Sequence, residues 1–263
     1  MQSVKNGSES EWSETGEFAL ITFDDNADNS KLISTYAGKL AHVTLSGRTL
    51  YQDNTWNTIV LPFNLSAVEV EASPLAGADI RTLDSVSATD ESVTLNFIED
   101  AVSAYGQFYG GLPYIVKWAS GSDIVNPEFA NVTLTTSQYY AGGKSEEDEN
   151  IAVYFEGTYA PIAFDAEDTS ILFVGADNKL NYPLAGARIG AFRSYFSLDG
   201  ISAGDASSVK ILTNLDDEDA TGIAGIENAS EGRNWYDLSG RKLTSKPAQK
   251  GIYVTEGRKV SVK

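Results

Sequence analysis

The chain of 263 residues has no cysteine, one methionine, one histidine and seven prolines. Without cysteine, neither a disulfide framework nor a thiolate metal site is available. With His42 the only histidine, a zinc site built on histidines is excluded. As a single general base, His42 would still need a partner nucleophile. It sits in the alternating stretch Ala41-His42-Val43-Thr44-Leu45, where an ordinary strand histidine is the stronger reading. No run approaches the ~18 consecutive apolar residues that a membrane-spanning helix requires. Positive charge is scarce as well: 19 Lys and Arg stand against 37 Asp and Glu, a net charge of −18. That balance argues against nucleic acid, whose phosphates call for clustered Lys and Arg, and reads as a device for solubility. The opening Met1-Gln2-Ser3-Val4-Lys5-Asn6-Gly7 is polar and lacks the apolar centre of a signal peptide. The expectation is that Met1 stands where a signal or lipoprotein leader has been removed.

What is present favours strands. Thirteen Tyr and eleven Phe accompany abundant Thr, Val and Ile. Apolar runs recur with turn signals between them: Phe18 to Phe23, His42 to Leu45, Asn57 to Leu61, Val93 to Phe97, Tyr114 to Trp118 and Val132 to Thr136. The series continues with Ile151 to Phe155, Ile171 to Val174, Leu180 to Tyr182, Phe192 to Leu198 and Val209 to Leu212. Pro62 ends or edges the Trp56–Leu61 run, and Gly175-Ala176-Asp177-Asn178 predicts a hairpin turn. Between Ala101 and Gly111 the glycines at 106, 110 and 111 allow at most one helical turn. The pattern predicts an all-β chain, with strand above half and helix under a tenth of its regular elements. Its main domain is expected to be a jelly-roll-like β-sandwich over residues 17–215, preceded by a polar leader or linker at 1–16. The acidic cluster Asp216-Asp217-Glu218-Asp219 and the small residues to Gly225 read as a linker at 216–225; a calcium site is the weaker reading there. Residues 226–263 predict a short β-hairpin or three-strand tail. A two-residue turn at Glu256-Gly257 would set Val254 opposite Lys259, whereas aligning Val254 with Val260 calls for a bulge near Gly257.

The tail carries Asn234-Trp235-Tyr236-Asp237-Leu238-Ser239-Gly240-Arg241-Lys242-Leu243, then Lys250-Gly251-Ile252-Tyr253-Val254 and Gly257-Arg258-Lys259-Val260-Ser261-Val262-Lys263. This pattern resembles the C-terminal tail of many secreted and surface proteins of Bacteroidetes bacteria, of the type IX sorting kind. The resemblance implies an address outside the cytoplasm and contact with secretion machinery. A second resemblance rests on Gly47-Arg48-Thr49-Leu50-Tyr51, on Trp56-Asn57-Thr58-Ile59-Val60-Leu61-Pro62-Phe63, on Gly111-Leu112-Pro113-Tyr114-Ile115-Val116-Lys117-Trp118 and on Ala191-Phe192-Arg193-Ser194-Tyr195-Phe196. In order, these are similar to a β-rich module of uncharacterised Bacteroidetes surface proteins and cover roughly residues 33–263. That module implies a place at the cell surface and no particular chemistry.

Motifs that would carry chemistry are incomplete. Asp24, Asn26 and Asp28 take the first, third and fifth places of a calcium loop, but the sixth is Asn29 instead of glycine and the twelfth is Thr35 instead of glutamate. A polar turn is the default; a looser calcium site between strands is the alternative. Gly142-Gly143-Lys144-Ser145 lacks the spacing of a phosphate loop, and Glu146-Glu147-Asp148-Glu149 reads as solvated surface. Paired acids of a glycosidase are not excluded by so acidic a chain, but no acid stands out. Asp84-Ser85-Val86 matches a short O-glycosylation acceptor pattern. Trp56 and Trp118 lie in strand runs and read as core. Tyr105, Phe108 and Tyr109 in a glycine-bearing loop, with Tyr139 and Tyr140 before Gly142, are the candidates for stacking on a glycan. No catalytic residue, metal ligand or cofactor is assigned. The reading is a non-catalytic exported or cell-surface protein serving adhesion, display or spacing, with an extracellular glycan or surface protein as partner. The alternative is a carbohydrate-binding module.

Overall fold

A computed structural model describes residues 18–89, 92–175, 178–201 and 211–215 in full. It gives the backbone of Lys210 and of short strands at Val4–Lys5, Ser8–Glu9, Trp235–Tyr236, Lys242–Leu243, Gly251–Thr255 and Arg258–Val262. Strand accounts for 46% of the structure and helix for 9%, an all-β architecture with one sheet curled into a half-barrel.

A five-stranded sheet is the shared wall of the body. Its order is Lys210–Thr213, Ser92–Ile98, Asp79–Ala88, Tyr114–Lys117 and Asn57–Ile59. All pairings are antiparallel except that of Lys210–Thr213 with Ser92–Ile98, which is parallel. Both faces of the wall are buried, and Tyr114, Ile115 and Val116 show why an unbroken apolar run is needed there. Tyr114 and Val116 join a first core, while Ile115 points into a second.

The second core lies between this wall and another five-stranded antiparallel sheet, ordered Tyr140–Lys144, Ala152–Thr158, Arg193–Asp199, Ile171–Val174 and Leu180–Asn181. Phe155 and Phe196 are directly opposed in register and their rings stack at 4.5 Å. From the facing sheet, Phe97 presents its edge to both at 6.2 and 6.1 Å. Stacked and edge-on geometries are the two favoured by the aromatic quadrupole. Gly142 has a positive φ, in the left-handed region that favours glycine. It is also required at this sheet-to-sheet contact: a Cβ would stand 2.4 Å from Leu83 Cδ2 and 2.6 Å from the Val153 carbonyl. The glycine-lysine-serine run is thus part of a strand and its corner. Buried Ser145 accepts from Ala88 N and donates to Glu147, fastening the sheets at one end.

The first core is built differently. Ala19–Asp24 and Leu40–Ser46 pair in parallel, so a crossover must join them. The crossover is the helix Ser30–Tyr36, whose Ile33 is buried and whose Leu32 and Tyr36 pack on the core. Sequence periodicity did not predict this helix; the polar cluster Asp24 to Ser30 masks its start. Glu128–Thr133 completes the three-stranded sheet.

Most predicted strands are present. Val132 to Thr136 is corrected to Glu128–Thr133, because a register shift between Phe129 and Val132, with Asn131 at a positive φ, breaks the alternation. The longest strand, Asp79–Ala88, was not predicted. Its register runs Leu83 opposite Phe97 and then Ser85 opposite Asn96, leaving Asp84 as an extra residue. The bulge inverts the side-chain parity. Ile80 faces the first core, but Leu83, Val86 and Ala88 share the second. The helix at Ala101–Tyr105 is one turn, as expected, and Phe173 opposite Asn181 confirms the hairpin around Gly175.

The tail has four strand segments, not three, in the order Lys242–Leu243, Trp235–Tyr236, Gly251–Thr255 and Arg258–Val262. Val254 pairs with Lys259 and Thr255 with Arg258, so the register is the one a two-residue turn gives and not the bulged one. The 216–225 linker and the packing of the Trp235 side chain lie outside the described residues. So does most of the 1–16 leader, where Val4–Lys5 pairs with Ser8–Glu9.

Candidate functional site

A cleft of about 650 Å³ lies beside Trp56 and Val174 of the second core. It lies within the ~300–1,000 Å³ range of small-molecule sites. Three stretches that carried the family resemblance meet there: Arg48 and Tyr51; Trp56, Asn57 and Thr58; Arg193 and Ser194. The loop after Ala19–Asp24 adds Asp25 and Asn26, and the Arg188–Ile189 strand adds Arg188.

Side chains lock the loops that form this cleft. Asn29 is buried, accepts from Asp24 N and donates to the carbonyls of Asp24, Ala27 and Tyr159. The acidic loop is therefore held by amide chemistry, as the polar-turn reading expects. No group of three His, Asp or Glu side chains able to hold a metal occurs among the described residues. Asn57 clamps the Tyr51–Thr55 turn, accepting from Tyr51 N at 2.8 Å and donating to Tyr51 O at 2.9 Å. Asp53, held below the usual carboxylate range by the Thr55 hydroxyl, finishes that turn. Arg188 fastens the opposite rim through Asn26 Oδ1 at 2.9 Å and Asn26 O at 3.0 Å.

The charged groups of the lining are incompletely satisfied. Arg193 Nη2 lies 3.1 Å from Asp25 Oδ2. Asp25 is 8% exposed, and its Oδ1 has no partner among the described residues. Arg48 is 1% exposed; its Nη2 donates to Thr58 O at 2.6 Å, while its Nε has no partner. Trp56 Nε1 is the third such atom. Each buried polar atom left unpaired costs about 1–3 kcal/mol, more when charged. Gly190 makes the crowding feasible, since a Cβ there would stand 2.7 Å from Asp25 Oδ2 and 2.8 Å from Arg193 Nε. Three guanidinium groups against the carboxylates of Asp25 and Asp53 give the cleft a positive bias inside a strongly acidic chain. Lys117 and Arg81 lie over the Trp56 ring at 4.5 and 5.4 Å.

The aromatic candidates are not gathered in this cleft. Phe108 is a correction: it is fully buried and stacks on Tyr114 at 4.0 Å, so it offers no face to a ligand. Its alternating neighbour Gln107 occupies the half-exposed position of a two-residue strand. Tyr105 and Tyr109 are both partly exposed and meet edge to face at 6.4 Å. Tyr139 and Tyr140 are more open, with Tyr140 edge-on to Tyr154 at 5.1 Å. Tyr139 N donates to Gly111 O, tying its segment to the loop that follows Tyr109. Trp118 is core, its Nε1 donating to Ala76 O, and half-buried His42 lies 3.4 Å from Glu128 Oε2. A second, smaller hollow of about 340 Å³ beside Asn64, Glu69 and Asn131 is lined by none of the residues with unpaired buried atoms.

The arginine cleft was missed in the sequence because its residues come from segments up to 168 positions apart. The available signal was local: polar Ser194 takes the inward position between Phe192 and Phe196, with Arg193 beside it. No helix of the described residues is long and apolar enough to cross a membrane. No protein-family model, curated protein or solved structure matches the chain.

Proposed function

We propose that this chain is a non-catalytic binding protein, exported to a bacterial cell envelope and displayed there for adhesion or spacing. The observation that carries the binding half is the cleft lined by Arg48, Asp25 and Trp56, each of which has a buried polar atom without a partner among the described residues. Buried polar groups held in place without protein partners are what a recognition site needs in advance of its ligand. The hydroxyls that burial pushes furthest upward, those of Tyr114, Tyr159 and Tyr195, lie outside the cleft lining, so none of them serves chemistry there. The display half rests on the sorting-like tail. Fused to an export signal and expressed in a Bacteroidetes host, the chain should be cleaved by protease added to intact cells, and removing residues 226–263 should abolish that cleavage. Retention of the full chain in the cytoplasm would contradict display.

Carbohydrate binding is the second reading, favoured by exposed Tyr105, Tyr109, Tyr139 and Tyr140 together with the cleft. A glycan array probed with the purified chain tests it; no bound glycan in any class would count against it.

A further inference from the structure

The unpaired atoms of the residues lining the cleft make opposite demands. Arg48 Nε and Trp56 Nε1 are donors that need an acceptor; Asp25 Oδ1 is an acceptor that needs a donor. Arg48 and Trp56 are more than nine-tenths buried, the Asp25 side chain is 11% exposed, and all three residues line the same space. An inorganic anion would answer Arg48 but oppose Asp25. A cation would face Arg48, Arg188 and Arg193. An apolar ligand would leave every one of these atoms unpaired.

A polyhydroxylated anion, with an acidic group beside hydroxyls, meets both demands. We infer that the cleft binds an acidic saccharide, whose carboxylate or sulfate is received by the arginines while a hydroxyl donates to Asp25. Arginine suits this task because its planar donors match the oxygens of such anions. Tyr51, half exposed on the cleft wall, offers a ring face to the sugar. The open form of the cleft and its size suit a short oligosaccharide. Arg188 and Gly190 determine access: the first supplies charge at the rim, and the second leaves the space that Asp25 and Arg193 occupy.

This inference deepens the carbohydrate-binding reading, and it fails separately from it, since a neutral glycan stacking on the exposed tyrosines would support that reading alone. The test is calorimetric titration of the purified full chain with oligogalacturonate, a chondroitin sulfate oligosaccharide, a neutral malto-oligosaccharide and inorganic sulfate. At least one acidic oligosaccharide is expected to bind about tenfold or more tightly than either the neutral oligosaccharide or sulfate. Binding of oligogalacturonate shows that carboxylate suffices; binding of the chondroitin sulfate oligosaccharide alone, which carries both groups, shows that sulfate is required. Arg188→Gln, at an exposed side chain, and Gly190→Ala, whose methyl displaces only side-chain atoms, should each lower the affinity about tenfold with unchanged circular dichroism. Equal binding of the neutral oligosaccharide, equal binding of sulfate, no acidic oligosaccharide bound at millimolar concentration, or unchanged affinity in both variants would each overturn the inference.

Discussion

The two cores share a wall and are otherwise opposites. The second is dry and aromatic, with Phe97, Phe155 and Phe196 closing it between antiparallel sheets. The first is wrapped by a parallel pair and short helices, and Asp25, Asn29 and Arg48 are buried along its margin. Hydrophobic burial stabilises both; among the described residues the unpaired buried atoms of charged groups, Asp25 Oδ1 and Arg48 Nε, lie at the first margin, while the neutral Trp56 Nε1 and Tyr182 Oη belong to the second core. The difference teaches where to look for function in an all-β body. The second core supplies rigidity, and the cleft forms where its edge at Trp56 and Val174 meets the polar loops of Asp25, Arg48 and Arg188.

Breaking the dry core should have the largest effect. Phe155→Ala removes a fully buried ring from its stack with Phe196 and should cost about 3–5 kcal/mol in urea unfolding. A loss under about 1 kcal/mol would mean the second core is not the rigid element. Gly142→Ala forces a Cβ against Leu83 and the Val153 carbonyl at a positive φ, and should cost about 2 kcal/mol or more by the same measurement.

Alkali should sharpen the contrast, because the buried phenols of Tyr114 and Tyr159 belong to the first core. Burial raises both above the ordinary value of 10.0. The folded state therefore holds protons that the unfolded state releases above that value. Their contribution is complete below pH 10 and is lost as pH rises beyond it. Stability should fall above pH 10, and Tyr114→Phe should shallow the slope; a pH-independent stability there would contradict the burial of these hydroxyls. A smaller effect is expected at the helix Ala67–Glu71, where Ser66 and Glu69 form a capping box. Ser66→Ala should cost about 1 kcal/mol, and a change near zero would show that the tertiary packing of Val70 alone holds the turn.

The strands were readable in sequence wherever one face was buried in strict alternation, as in Ser92–Ile98 and Arg193–Asp199. Reading failed where the parity was reset. The bulge at Asp84 disguised the longest strand, and Asn131 displaced another. The Ser30–Tyr36 helix was hidden because a single short crossover carries too few turns for a period to show. For the site, exposed tyrosines were partly legible, since Tyr105, Tyr109, Tyr139 and Tyr140 do reach solvent. Phe108 did not, because a two-residue strand turns it inward. The cleft itself was illegible: a buried arginine such as Arg48 acquires meaning only when Asp25, Trp56 and Arg193 are brought beside it by pairing distant in sequence.

The most direct test of this asymmetry is urea unfolding of Arg48→Met. Arg48 has no carboxylate partner among the described residues and gives one hydrogen bond, to Thr58 O. If the guanidinium is kept for a ligand, an apolar side chain of similar length should leave stability within about 1 kcal/mol of the parent, or raise it. A loss of about 3 kcal/mol or more would show that Arg48 is a structural tie and would contradict the account.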